Sequence, residues 1–233
     1  LVILDKRYYY ADNITARKLY GKIGFSANYI KKDGIPMNKD NSSNSLVIIL
    51  HEIYGINDHI NFFSDLMIKE GFDVLCPNLI DRESFSYDQE DKAYHYFMNE
   101  IGFTRALNEV LNIVNLNREK YEHIFIIGFS IGATIAWMSS EYGVDGIIGF
   151  YGSRIRNYVE IEPSCATLLF FARHEKSFNV LDLEEKLRNK KNTSLEIIEA
   201  EHGFMNPFYN TYNFKEYEEC IKKCRTFLNQ IEV

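Results

Sequence analysis

Between the apolar run His123-Ile124-Phe125-Ile126-Ile127 and the helix-forming run Ala133-Thr134-Ile135-Ala136-Trp137-Met138 stands Gly128-Phe129-Ser130-Ile131-Gly132. The first run reads as a buried strand and the second as a helix, which puts Ser130 in the turn between them. A strained strand-to-helix turn leaves no room for Cβ atoms two residues to either side of its apex, so glycines flank the serine at that spacing. The turn lifts the Ser130 hydroxyl above the sheet edge, where it is placed to act as a nucleophile.

An alcohol attacks only when a base takes its proton, and the base works best when a carboxylate orients it. After an elbow of this kind the chain order is serine, then acid, then histidine. The apolar strand Ala166-Thr167-Leu168-Leu169-Phe170-Phe171-Ala172 is followed by Arg173-His174-Glu175, which puts Glu175 in a loop at a strand's C-terminal end. Leu195-Glu196-Ile197-Ile198-Glu199 alternates like a strand and runs into Ala200-Glu201-His202-Gly203-Phe204, so His202 also follows a strand. His174 is a rival base by composition, but it precedes the acid, and His202 is preferred. Consecutive parallel strand ends open onto one crevice, where such sheets hold their ligands.

A chain of 233 residues suffices for one sizeable α/β core, and a single domain over residues 1–233 is expected. The net charge of −7 argues against a nucleic-acid footprint, because the lysines are scattered rather than gathered on one face. Cys76, Cys165, Cys220 and Cys224 have neither C-x-x-C nor zinc spacing, as in a chain with reduced thiols. Cys220 and Cys224, one helical turn apart, share a helix face. The apolar stretch within Leu1 to Arg7 is too short for a signal peptide, and no run approaches the ~18 apolar residues of a membrane span, so a cytoplasmic location without membrane attachment is expected. A leucine at position 1 also hints at a missing initiator or longer leader.

Along the chain, residues 1–30 read as aromatic edge strands and residues 31–45 as a polar loop. Leu46-Val47-Ile48-Ile49-Leu50 is continuously apolar, as a strand covered on both faces must be. Helices are expected near residues 57–69, 101–116, 180–190 and 214–231, with strands at 72–76, 146–151, 166–172 and 195–199. Strands separated by helices imply parallel crossovers and a mostly parallel, doubly wound sheet flanked by helices. Residues 78–99 form an excursion whose Phe85, Tyr87, Tyr94, Tyr96 and Phe97 either overhang the site as a small lid or pack on the sheet edge.

Several segments, in order, resemble the dienelactone hydrolase family of the α/β-hydrolases. His51-Glu52-Ile53-Tyr54-Gly55 is similar to its H-E-I-[FY]-G segment, Cys76-Pro77-Asn78-Leu79-Ile80-Asp81-Arg82 to C-P-D-L-[YF]-x-R, Gly149-Phe150-Tyr151-Gly152 to G-[YF]-Y-G, and His202-Gly203-Phe204 to H-[GS]-F. The resemblance covers residues 46–231. It implies the α/β-hydrolase fold, no metal or organic cofactor, and a small ester or lactone as substrate, in a monomer or homodimer. A zinc reading of His51-Glu52 fails because Gly55 stands where H-E-x-x-H needs its second histidine. The expected oxyanion donors are instead the backbone N–H groups of Ile53 and Ile131.

Two departures from the family matter. Its nucleophile is a cysteine in G-x-C-x-G-G, whereas here Ser130 stands at that place and Ala133 replaces the second glycine. Glu52, the cysteine's partner in the family, then polarises Ser130, binds substrate, or is an acid held by structural hydrogen bonds. Arg82 matches an arginine that binds a substrate carboxylate, or is a surface ion-pair residue; a second family arginine is replaced by Asn206. Tyr54, Tyr151 and Phe204 are expected beside the substrate. The expectation is ester or lactone hydrolysis through Ser130, His202 and Glu175. The alternatives are a thioesterase, a small-peptide hydrolase, or a ligand-binding protein that keeps the fold without catalysis.

Overall fold

The structure, a computed structural model, describes residues 43–232. The aromatic strands expected over residues 1–30, most of the polar loop after them, and the N-terminal part of the single domain expected over 1–233 lie outside the described residues.

Among the described residues six strands, all paired in parallel, make one sheet: β1 (Ser45–Leu50), β2 (Asp73–Leu75), β3 (His123–Phe129), β4 (Gly146–Phe150), β5 (Ala166–His174) and β6 (Thr193–Glu201), in the order β2-β1-β3-β4-β5-β6. Because successive side chains point to opposite faces, the continuous apolar strands feed two cores. Leu46, Ile48, Leu50, Ile124 and Ile126 face one side; Val47, Ile49, Phe125 and Ile127 face the other. On the first side lie α2 (Glu90–Tyr96), α3 (Gly102–Asn117), α4 (Ile131–Ser139) and α5 (Val180–Leu187); on the second lie α1 (Asp58–Lys69) and α6 (Phe214–Ile231). Phe129, Phe150 and Phe170, in register on β3, β4 and β5, stack face to face with centroids 5.1 Å apart in each pair. They form an apolar floor under the C-terminal edge. Cys220 and Cys224 share the buried face of α6, with free thiols.

The helices begin where side chains satisfy their free N–H groups. Asn57, Asn179 and Asn213 cap α1, α5 and α6 by accepting from Ile60, Leu181 and Glu216, each cap contributing about 1 kcal/mol. α5 ends at Leu187 rather than near 190, since Lys190 N–H turns back to the Leu187 carbonyl and its ammonium pairs with Glu162 at 2.5 Å. β5 and β6 run about two residues further than their apolar cores suggest, to His174 and Glu201. Backbone pairing continues past the point where burial stops, which an apolar pattern cannot register.

The excursion over residues 78–99 is ordered structure. A 3-10 turn (Tyr87–Gln89) leads into α2, a π turn (Phe97–Ile101) and α3. Phe85, Ala93 and Phe97 are buried in the first core, and Phe85 N–H bonds to the Tyr54 carbonyl at 2.8 Å. The segment is therefore packed against the sheet while α2 borders the site.

The strand order also fixes where a crevice opens. β1 leads by α1 to β2 on one side, and β3 sits on the other side of β1, so the loops after β1 and β3 part company. In open parallel sheets that reversal is where ligands bind.

Candidate active site

Ser130 has φ 55° and ψ −111°, a backbone region that a residue with a Cβ avoids at a cost of about 1–3 kcal/mol. Neighbouring bonds hold it there: Ser130 N–H donates to the Phe150 carbonyl (2.9 Å), and Thr134 N–H to the Ser130 carbonyl (3.2 Å). The glycines act as the sequence requires. A Cβ on Gly128 would lie 2.2 Å from the Gly132 carbonyl oxygen, and one on Gly132 would lie 2.3 Å from that of Leu50. α4 thus starts against the end of β1. The Ala133 methyl, where the family has glycine, meets the Cα side of Gly149 and Gly152, whose own Cβ atoms would approach it to 3.4 and 3.0 Å.

The structure brings Ser130, His202 and Glu175 together from three strand ends. His202 Nε2 is 3.1 Å from Ser130 Oγ, and Nδ1 is 2.8 Å from Glu175 Oε1. With Nδ1–H donating to the carboxylate, Nε2 is left to accept from the serine hydroxyl. Thr211 Oγ1 donates to the His202 carbonyl at 2.6 Å, which steadies the loop. Burial opposes a charge on His202, but the Glu175 hydrogen bond, with the charges of Glu175, Glu52 and Glu90, outweighs it and raises the imidazole above its ordinary value. His174, the rival base, also lines the cavity, but its Nε2 lies 2.7 Å from Glu199 Oε1 and it is His202 that meets Ser130.

A cavity of about 400 Å³ opens above Ser130, and Glu52, Ile53, Tyr54 and Ile131 line it. Ile131 is the first residue of α4, so its N–H is one of the donors a helix start leaves without an intrahelical partner. Ile53 comes from the loop after β1. That loop is tied down by His51, whose Nδ1–H donates to the Glu52 carbonyl (2.6 Å) while Nε2 accepts from Leu79 N–H (3.0 Å). Only a neutral imidazole can do both, and complete burial lowers its pKa to about 4.

Glu52 makes no bond to Ser130. Its Oε1 accepts from Tyr151 Oη (3.1 Å), its Oε2 accepts from Asn206 Nδ2 (3.3 Å), and His59 Nδ1 lies 3.6 Å from Oε2. Burial would raise this carboxyl, yet His59, His202 and the Tyr151 hydroxyl together hold it below the usual carboxylate value. Of the three readings open from sequence, the acid held by structural hydrogen bonds describes these contacts, and Glu52 keeps a face on the cavity. Tyr151 and Phe204 are fully buried and stand behind the site: the Tyr151 ring lies 4.8 Å from His202, and Phe204 packs on Tyr151 at 5.5 Å. They support the histidine rather than border the cavity.

Arg82 is not at the cavity. Asp81, in the left-handed region at φ 51°, turns the chain, and Asn78 Nδ2 donates to the Arg82 carbonyl at 2.8 Å. The guanidinium then lies on the outer surface, 4.0 Å above the Phe85 ring and 5.1 Å from that of Tyr96, while Asp81 pairs with Arg105. The arginines that do line the cavity are Arg154 and Arg156, in the 3-10 turn Ser153–Asn157 after β4. Sequence reading missed them. The signal available was Ser153-Arg154-Ile155-Arg156 directly after Gly149-Phe150-Tyr151-Gly152, a strand end on the same edge as Ser130. Asn206, noticed only for not being an arginine, is buried and joins Glu52 to Tyr87 Oη (2.9 Å).

Among the described residues there is no group of three or more His, Cys, Asp or Glu that could hold a metal ion, and no helix long and apolar enough to cross a membrane.

The dienelactone hydrolase family model matches residues 33–232. The uncharacterized protein YczH of Bacillus subtilis is 44% identical over 166 residues, covering 70% of this chain and 81% of that one. Carboxymethylenebutenolidase 1 of Cupriavidus pinatubonensis is 22% identical over 197 residues, covering 78% and 83%. Among solved structures, the dienelactone hydrolase-like promiscuous phosphotriesterase P91 from metagenomic libraries superimposes with a TM-score of 0.67 at 14% identity, covering 82% of this chain and 88% of that one.

Proposed function

The chain belongs to the dienelactone hydrolase family, and from that premise we propose that it hydrolyses a small carboxylic ester or lactone through Ser130, His202 and Glu175. The observation that carries this reading is the unbroken hydrogen-bond series from Ser130 Oγ through His202 to Glu175. It stands at a strained elbow facing a cavity that suits a small ligand.

Ser130 Oγ attacks the carbonyl carbon as His202 Nε2 takes its proton, and Glu175 stabilises the imidazolium. The Ile53 and Ile131 N–H groups receive the negative charge that forms on the carbonyl oxygen, each donor contributing about 2.7–4 kcal/mol at the transition state. His202 returns the proton to the departing alcohol oxygen, leaving an acyl ester on Ser130. Water, deprotonated by His202, then attacks that ester, and Ser130 Oγ recovers its proton as the acid leaves. A lactone follows the same steps, its alcohol remaining on the acyl chain. The name of the Cupriavidus relative, carboxymethylenebutenolidase 1, favours oxygen esters over peptides.

A fluorophosphonate probe should label Ser130 in the wild-type protein and fail to label Ser130→Ala. That variant should lose p-nitrophenyl ester turnover by about a thousandfold or more while keeping its thermal unfolding midpoint. Unchanged turnover in purified Ser130→Ala would overturn the nucleophile. A wild-type protein that is neither labelled nor active would fit a ligand-binding role on the same fold.

A further inference from the structure

Behind His202 lies a buried polar series that the ester mechanism leaves unused. Tyr151 is held in the left-handed region at φ 44° by its N–H bond to the Phe170 carbonyl (2.7 Å), with its ring against His202 and its hydroxyl donating to Glu52. Asn206 reaches the other carboxylate oxygen and also Tyr87 Oη, which accepts in addition from Asn57, the cap of α1, at 3.2 Å. The start of α1 is thus tied to the strand ends that carry the site.

His59, the second residue of α1, stands in this series without a formed hydrogen bond. Its ring is fully buried edge-on to Phe129, with centroids 4.5 Å apart, and neither nitrogen has a hydrogen-bond partner among the described residues. Buried polar atoms left so cost stability, and such a group calls for a functional account. Nδ1 lies 3.6 Å from Glu52 Oε2, and a movement of about 0.6 Å closes that gap to an ordinary hydrogen bond. Burial, the largest influence on Glu52, favours the neutral acid; His59 leads the groups that oppose it, before His202 and Tyr151. Glu52 also faces His51 in its own loop and the hydroxyls of Tyr54, Tyr87 and Tyr209, all kept neutral chiefly by burial. On His202 itself, burial is opposed by Glu175 and then by the charges of Glu52 and Glu90.

We propose that His59 is a positioning residue acting through Glu52: it supplies the proton donor that this buried carboxylate needs, and Glu52 in turn stands as a second negative charge behind the imidazolium that forms on His202. The effect on turnover rests on the hydrolase reading above, whereas the effect on His202 is read in the resting protein. Tyr151 connects the two, its ring on the histidine and its hydroxyl on the carboxylate.

The test follows the Cε1–H resonance of His202 by NMR against pH, beside kcat and KM for p-nitrophenyl acetate, in wild type, His59→Phe, Glu52→Gln and H59F/E52Q. Phenylalanine, of similar shape, retains the contact with Phe129 but removes the donor, and burial then makes Glu52 take up a proton. In both single variants His202 should titrate at lower pH and the acid limb of kcat/KM should move with it, while kcat falls about ten- to a hundredfold at nearly unchanged KM. H59F/E52Q should match Glu52→Gln, because His59 then has nothing to act on. His59→Asn, whose amide nitrogen stands where Nδ1 does, should regain most of the kcat lost in His59→Phe. A His202 resonance that titrates in His59→Phe as in wild type overturns the proposal, as does a double variant whose kcat loss is the product of the two single losses. Should His59→Phe not fold, H59F/E52Q, which leaves no charge buried alone, decides: a loss beyond that of Glu52→Gln overturns the role of His59. Wild-type protein with neither Ser130 labelling nor ester turnover refutes the hydrolase, and the His202 titrations then still decide the role of His59.

Discussion

Gly132, the second residue of α4, has its Cα pressed against the end of β1, and adding one methyl there should damage catalysis more than stability. In Gly132→Ala the new Cβ would sit 2.3 Å from the Leu50 carbonyl oxygen and 2.8 Å from that of His51. Both are backbone atoms, so no side chain can swing aside. Real Cβ atoms essentially never come closer than 3.0 Å to such atoms, so helix and strand end must part by at least about 0.7 Å. Alanine gains about 1 kcal/mol of helix propensity over glycine, while overpacking a tight contact costs about 1–3 kcal/mol. The gain offsets only part of the cost, and the net loss of stability should be about 2 kcal/mol at most. The displaced groups are those that matter for turnover, since Ile131 follows Ser130 on the helix and Ile53 follows His51 on the strand loop. A misplacement near 1 Å costs about a hundredfold, as does loss of one oxyanion donor, so kcat for a p-nitrophenyl ester should fall about a hundredfold. Gly143→Ala is the control: its φ of 60° makes alanine strained by about 1–2 kcal/mol, but nothing lies within 4 Å of its Cβ position. It should unfold at lower temperature and turn over normally. A folded Gly132→Ala with wild-type kcat would refute the account of how the elbow meets the β1 loop.

The raised pKa of His202 gives the activity profile its sign: the base must be neutral, so kcat/KM falls on the acid side at a higher pH than for an ordinary histidine. Glu175→Gln removes the first-named support of that charge, so the acid limb should move to lower pH while kcat drops about 10³–10⁴-fold; a limb that stays put means another group titrates. His51 predicts a stability effect. Its pKa is lowered from 6.5 to about 4, so between those values the unfolded chain binds a proton that the folded chain refuses. Stability should be constant above pH 6.5 on this account and fall by about 3 kcal/mol as the pH drops to 4. His51→Asn should flatten that slope in urea titrations at each pH, and an unchanged slope would remove His51 as its source.

What the sequence determined by itself is what short-range sterics and periodicity dictate. Continuous apolar runs must be covered on both faces, and Gly128, Ser130 and Gly132 can form only one kind of turn. A loop beyond a parallel strand must emerge on the same edge as the loops beyond its neighbours, which places Glu175 and His202 with Ser130. The tertiary structure decided what depends on side-chain direction and on partners distant in the chain. Arg82 was a good candidate by position, but a left-handed Asp81 and two aromatic rings hold it outside. Arg154 and Arg156 line the cavity instead, and their nearness to it depends on how the turn after β4 packs. Glu52 shows the same limit, because its hydrogen-bond partners Tyr151 and Asn206 lie 99 and 154 residues away along the chain. No local pattern encodes which distant donor will be there to meet a buried carboxylate; that is fixed only once the whole sheet has assembled.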